Sequence, residues 1–153
     1  MDINDSKAMS EYLKPAPRLS REEALDVADN EFSLLMRVYY ATEEGMVRCV
    51  TCGELMEWRG TGIAHWGHYV ERRYLWTRWD VNNGGVQCES CNCFGGGMRA
   101  QMRAALVARH GIEEVERIER EKVLLLKLSI EELLELSQTF RAKRLEIQKE
   151  KCL

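Results

Sequence analysis

The sequence predicts an α+β fold: a small metal-stapled core of short strands, flanked by an N-terminal helix and by C-terminal helices. Three observations carry it. Two C-x-x-C pairs, Cys49/Cys52 and Cys88/Cys91, bracket the middle of the chain. Apolar residues recur at helical spacing on both sides of that middle. Between the pairs the pattern breaks into short apolar pieces, aromatics and glycines, as small strands and loops around a metal require.

With 153 residues, 45% hydrophobic and 31% charged, the chain suits one domain with helical flanks rather than two independent cores. No apolar run approaches the roughly 20 residues of a membrane helix. The acidic start Met1-Asp2-Ile3-Asn4-Asp5 lacks the basic and apolar regions of a secretory signal. A cytoplasmic location is the expectation, and there clustered cysteines read as metal ligands more readily than as disulfides.

In chain order, residues 1–19 are expected to be a flexible segment, because Pro15 and Pro17 break any helix before Ser20. Residues 20–45 read as an amphipathic helix. Ser20 and Glu23 form a capping-box pair, and Leu25, Ala28, Phe32, Leu35 and Tyr39 recur at helical spacing until Gly45. Residues 46–111 hold the zinc-bound core and its exit helix, in which Met98, Met102, Ala105 and Leu106 line one face and Gly111 ends the run. Residues 112–153 form a helical region packing on the core. A helix is expected over about Ile112–Lys127, then a second capping box, Ser129 and Glu132, opens a helix with Leu133, Leu136, Phe140 and Ile147 on its apolar side.

The formal net charge of -3 is unevenly spread. Residues 1–47 carry five basic against ten acidic side chains, residues 48–110 eight against five, and residues 111–153 nine against ten. All eight basic residues of the middle segment are arginines. A guanidinium suits two-pronged phosphate contact, although an excess this small is as common on an ordinary solvated surface.

Each C-x-x-C turn points two thiolates at one ion, and two such turns complete the closed tetrahedral site of a structural zinc. Gly53, directly after the first pair, suits the left-handed residue such knuckles need. A redox reading would require alternating strands and helices, a pattern absent here. With four thiolates on the zinc, His65 and His68 in Ala64-His65-Trp66-Gly67-His68-Tyr69 are free for other chemistry, and Asn83 and Asn92 follow them. His68 is otherwise read as a half-buried, hydrogen-bonded histidine in an aromatic cluster. His110 stands at a helix end, where the helix dipole favours it, and carries no catalytic role.

The order of histidine pair, asparagine, then polar ligand near a helix start resembles the HNH or ββα-metal nucleases. A closer resemblance is to the NinG/Rap family of phage recombination proteins, over about residues 48–150. It rests on Cys49-Val50-Thr51-Cys52-Gly53, Gly67-His68-Tyr69, Arg78-Trp79-Asp80 with Asn83, and Gln87-Cys88-Glu89-Ser90-Cys91-Asn92. The resemblance implies a zinc-stapled ββα-metal core of the HNH type and a metal-dependent endonuclease acting on branched or single-strand-containing DNA during phage recombination, in the bacterial host cytoplasm. By the same carry-over, His68 is the general base, Asn83 orients the catalytic loop, and His65 with Asn92 binds a catalytic magnesium or manganese. Arg72, Arg73, Arg78, Arg99 and Arg103 would hold the DNA backbone. The chain departs from the family where an acidic residue usually stands at His65, where a histidine-containing stretch is replaced by Gly84-Gly85-Val86, and where a Lys-Ser-Gly-like stretch is replaced by Phe94-Gly95-Gly96-Gly97.

Two other classes compete with the nuclease: a zinc-knuckle module that grips nucleic acid or protein without cutting, and a scaffold stapled by zinc. The apolar surplus of the C-terminal helices also leaves two readings open. They pair with a second copy in a homodimer, or they fold back on the helix of Leu25, Phe32 and Leu35.

Overall fold

The computed structural model describes residues 19–60 and 64–153; the flexible segment expected over residues 1–19 lies almost wholly outside them. Ser20 opens helix α1 (Arg21–Tyr40) with the reciprocal capping pair that the sequence announces. The helix ends at Tyr40 rather than at Gly45, and residues 41–45 turn into the first strand. Its buried face is Ala24, Ala28, Phe32, Leu35, Met36 and Val38. Tyr39 is instead 58% exposed, because two different partners, a strand layer and the last helix, define which side of α1 is covered.

Strands β1 (Met46–Arg48) and β2 (Leu55–Glu57) form an antiparallel hairpin whose loop is the first cysteine knuckle. Strands β3 (Ala64–His68) and β4 (Gly84–Cys88) form a second antiparallel pair, with His68 opposite Gly84 and Ala64 opposite Cys88. The long connection between them carries one turn of helix, α2 (Leu75–Arg78). After β4 come a π-helical turn (Ser90–Phe94) and helices α3 (Arg99–His110), α4 (Ile112–Glu121) and α5 (Ile130–Lys151).

The second pair sits at the centre and is squeezed from both sides. A Cβ on Gly84 would lie 2.2 Å from the Gly67 carbonyl oxygen, and one on Gly85 would lie 2.7 Å from Val50 Cγ1. Those distances are impossible for a side chain, so the Gly84-Gly85 departure from the family pattern is what lets β4 pass between β3 and the first knuckle. The Val50 amide then donates to the Val86 carbonyl at 2.8 Å, which ties knuckle to strand.

α1 lies along α5 and covers β3. Phe32 joins the three: its ring meets Trp66 edge-on at 5.7 Å and Phe140 at 5.1 Å. Arg37, buried in α1, donates to the Ala64 carbonyl at 2.9 Å and pins the start of β3. At the other end Lys151 donates to the carbonyls of Val38, Tyr39 and Ala41 where α1 stops, the Val38 oxygen also accepting the Ala41 amide. Phe32 is 1% exposed, so Phe32→Ala should cost about 3–5 kcal/mol of stability; a denaturant midpoint equal to the parent's would contradict that packing.

Within the chain α5 packs on α1 and the core: Leu133 and Phe140 are buried, and Leu136 and Ile147 pack against the core. Helix α4 is shorter than expected. It ends at Glu121, and Val123, Leu124 and Leu125 lie exposed in the connection to α5. α3 and α4 make a second, smaller core in which Met102, Leu106, Val115 and Ile118 enclose Val70 and Tyr69. No helix among the described residues is long and apolar enough to cross a membrane.

Candidate metal centre and the cavity beside it

The two knuckles converge. The ligand atoms of Cys49, Cys52, Cys88 and Cys91 all lie within 4.8 Å of one another, and Cys52 Sγ stands 3.7 Å from Cys88 Sγ. Zinc–sulfur bonds of about 2.3 Å in a tetrahedron put sulfurs roughly 3.8 Å apart, so the cage fits a zinc ion. Gly53 has φ of 80°, the left-handed conformation expected of it. The thiols also show why a cation belongs there. Against the burial that opposes it, hydrogen bonds from the Thr51 hydroxyl and nearby amides bring the Cys49 thiol down to about 6. Burial pushes the Cys88 thiol up. Four thiolates at this spacing need a divalent ion to coexist.

Beside this centre opens a cavity of about 510 Å³. It gathers His65 and His68 from β3 and Asn92 from the π-helical turn, three residues that the sequence placed in one site. Asp29, Asn30 and Ser33 of α1, Trp66 of β3, Glu71 and Arg72 of the β3–β4 connection, and Gly96 and Gly97 complete the wall. Sequence reasoning missed the α1 and Glu71 contributions. Their one signal is polar residues at i, i+1 and i+4 beside the apolar stripe of α1, which ordinarily marks a solvated face.

His68 Nε2 lies 2.8 Å from the Arg78 carbonyl. A carbonyl only accepts, so Nε2 carries the proton and Nδ1 holds the lone pair of the neutral ring. Burial lowers the His68 pKa to about 4. The imidazole is therefore neutral from there upward, and the sign for stability follows. As pH falls below about 6.5, the unfolded chain takes up a proton that the folded chain refuses until about 4, so stability falls across that window. A parent that melts earlier at pH 5 than at pH 7, with the difference reduced in His68→Gln, is the expected result.

Asn83 is fully buried and does not face the cavity. Its Oδ1 accepts the Val70 amide at 2.7 Å, and its Nδ2 donates to the carbonyls of Val70 and Thr77 at 3.0 and 2.8 Å. It thus fixes the loop that follows His68 from inside. Outside, Arg117 of α4 binds Asp80, and Asn82 donates to Glu114. Asn83→Ala would leave the Val70 amide and carbonyl without the side chain that pairs them, while the Thr77 carbonyl keeps the Asp80 amide at 3.2 Å; each buried group left unpaired costs about 1–3 kcal/mol, and the variant should melt well below the parent.

His65 Nε2 is buried with no hydrogen-bond partner among the described residues. Asn92 is half-buried, and its side-chain amide lies 3.8 Å from Cys93 Sγ. The five arginines separate. Arg78 is 12% exposed and grips Asp29 through Nε at 2.9 Å and Nη2 at 2.7 Å. Arg103 pairs with Glu119, which also accepts the Tyr69 hydroxyl. Arg72, Arg73 and Arg99 remain exposed, the first two in surface ion pairs and Arg99 over the Tyr69 ring. Of the set, Arg78 is a structural cation whose guanidinium is already spent.

No curated protein and no solved structure matches the chain. The family model described as bacteriophage Lambda NinG protein matches residues 21–150, from the first residue of α1 to the last turn of α5. With that match over most of its length, and with the cysteine cage it encloses brought together in space, the chain belongs to the NinG family.

Proposed function

We propose that the chain is a metal-dependent DNA endonuclease of the HNH type, acting on branched or recombining DNA. The observation that supports it best is the β3–β4–α3 unit, in which His68 ends one strand with Nδ1 left as a base beside His65 and Asn92. In this reading zinc holds the frame at Cys49, Cys52, Cys88 and Cys91. His68 Nδ1 takes the proton of a water whose oxygen attacks phosphorus, and a phosphorus–oxygen bond of the backbone breaks. Asn83 keeps the loop after His68 in register. His65 and Asn92 are the residues that would hold magnesium or manganese. That ion, when bound, stabilises charge on the phosphate and on the leaving oxygen; the orphaned His65 nitrogen and the polar, half-buried Asn92 suit the role. Arg72, Arg73 and Arg99 are left to contact backbone phosphates.

A plasmid-nicking assay with and without magnesium or manganese, followed by cleavage of linear and branched substrates, tests the reading. Divalent-dependent nicking is the expected outcome. A pure zinc-loaded protein that binds DNA but cuts none of these substrates would leave the non-catalytic zinc-knuckle module in its place. Because burial holds the His68 pKa near 4, the rate should not fall with the usual histidine limb near 6.5; a limb centred there would argue against this base.

A further inference from the structure

The base is held from outside its own strand. We infer that Asp29, on α1, is the positioning residue that fixes the tautomer of His68. Its carboxylate is 11% exposed and takes four donors: Arg78 Nε and Nη2, Trp79 Nε1 at 3.0 Å and Arg72 Nη1 at 3.3 Å. Those bonds fill its acceptor sites, so although Asp29 lines the cavity it has no lone pair to spare for an ion. What they hold is the backbone at residues 78 and 79. The Arg78 carbonyl is the acceptor of the His68 Nε2 proton, and its direction depends on the guanidinium and indole that Asp29 clamps. A charged, two-pronged pair in a covered site is directional enough to set that carbonyl.

The consequence is that α1, far from His68 in sequence, decides which imidazole nitrogen carries the proton. Asp29→Asn keeps the shape and removes the charge. It leaves the nearly buried Arg78 without its counter-charge and its two-pronged contact, with the Arg72 carbonyl still accepting from Nη1 at 3.0 Å, so the Arg78 carbonyl turns away and the ring is free to populate the Nδ1–H form.

The test uses the zinc-loaded full chain. Its cleavage arm rests on the nuclease reading; its spectroscopic arm does not. Long-range proton–nitrogen correlation spectra of ¹⁵N-labelled protein at pH 8 should show His68 as a single Nε2–H tautomer in the parent and as a mixture in Asp29→Asn, with Asp29→Glu restoring part of the parent signal. Nicking by Asp29→Asn should lose about 10–100-fold in kcat with KM for DNA unchanged, the usual loss for an outer partner of a reacting group. Should Asp29→Asn not fold, Arg78→Lys, which keeps the charge but breaks the two-pronged contact, must give the same tautomer change. A pure Nε2–H signal in a folded Asp29→Asn or Arg78→Lys protein overturns the inference. If the parent cuts no DNA, the nuclease reading fails while the tautomer spectra still decide the role of Asp29.

Discussion

Replacing Cys88 by serine is expected to strip the metal and abolish cooperative folding. Cys88 is the last residue of the central strand, and its sulfur faces the knuckle carried by the β1–β2 hairpin. A serine hydroxyl stays protonated at neutral pH and is a poor ligand for zinc. The strands around the site are only three to five residues long, so they bury too little apolar surface to hold together alone. Binding of structural zinc is worth about 10–16 kcal/mol in zinc-finger peptides, as much as the whole stability of an ordinary domain, about 5–15 kcal/mol. Elemental analysis should find one zinc per chain in the parent and none in the variant, whose melting should be broad and early. Metal-free purified parent, or a variant that melts like it, would refute the cage.

His68→Ala should eliminate divalent-dependent cleavage, a loss of about 10²–10⁴-fold for removal of a general base, while leaving zinc content and DNA affinity in place. The side chain is half-buried at the cavity wall and contributes one hydrogen bond among the described residues, to the Arg78 carbonyl, so a folded variant is expected. Comparing it with His65→Ala separates two roles. Loss that excess magnesium or manganese partly restores belongs to an ion ligand, and loss that no metal concentration restores belongs to a base. A His68→Ala protein that cuts at the parent rate would remove His68 from the mechanism.

The local devices were legible because they depend on neighbours in sequence. Ser20/Glu23 and Ser129/Glu132 satisfy open amides within their own first turns, and both capping boxes are present. C-x-x-C aims two thiolates by turn geometry alone, and the four cysteines do converge. Helix ends were less readable. The apolar run Val123 to Leu126 looks like a helix continuing, yet α4 stops at Glu121; among the described residues Val123, Leu124 and Leu125 stand exposed, and helical pattern without a packing partner has little to hold it.

The sequence by itself determined the convergence of the four cysteines, the helical flanks and the nearness of His65, His68 and Asn92, each of which follows from short spacing or from a ligand set that must meet. Only the tertiary structure decided that Asp29 reaches across to Arg78 and Trp79, that Arg78 is thereby withdrawn from the surface, and that Asn83 works from inside the loop rather than in the cavity. The reason is physical: a carboxylate on a helix and a guanidinium many residues later show no periodicity that links them, and their pairing is fixed by how α1 is packed, through Phe32, between Trp66 and Phe140.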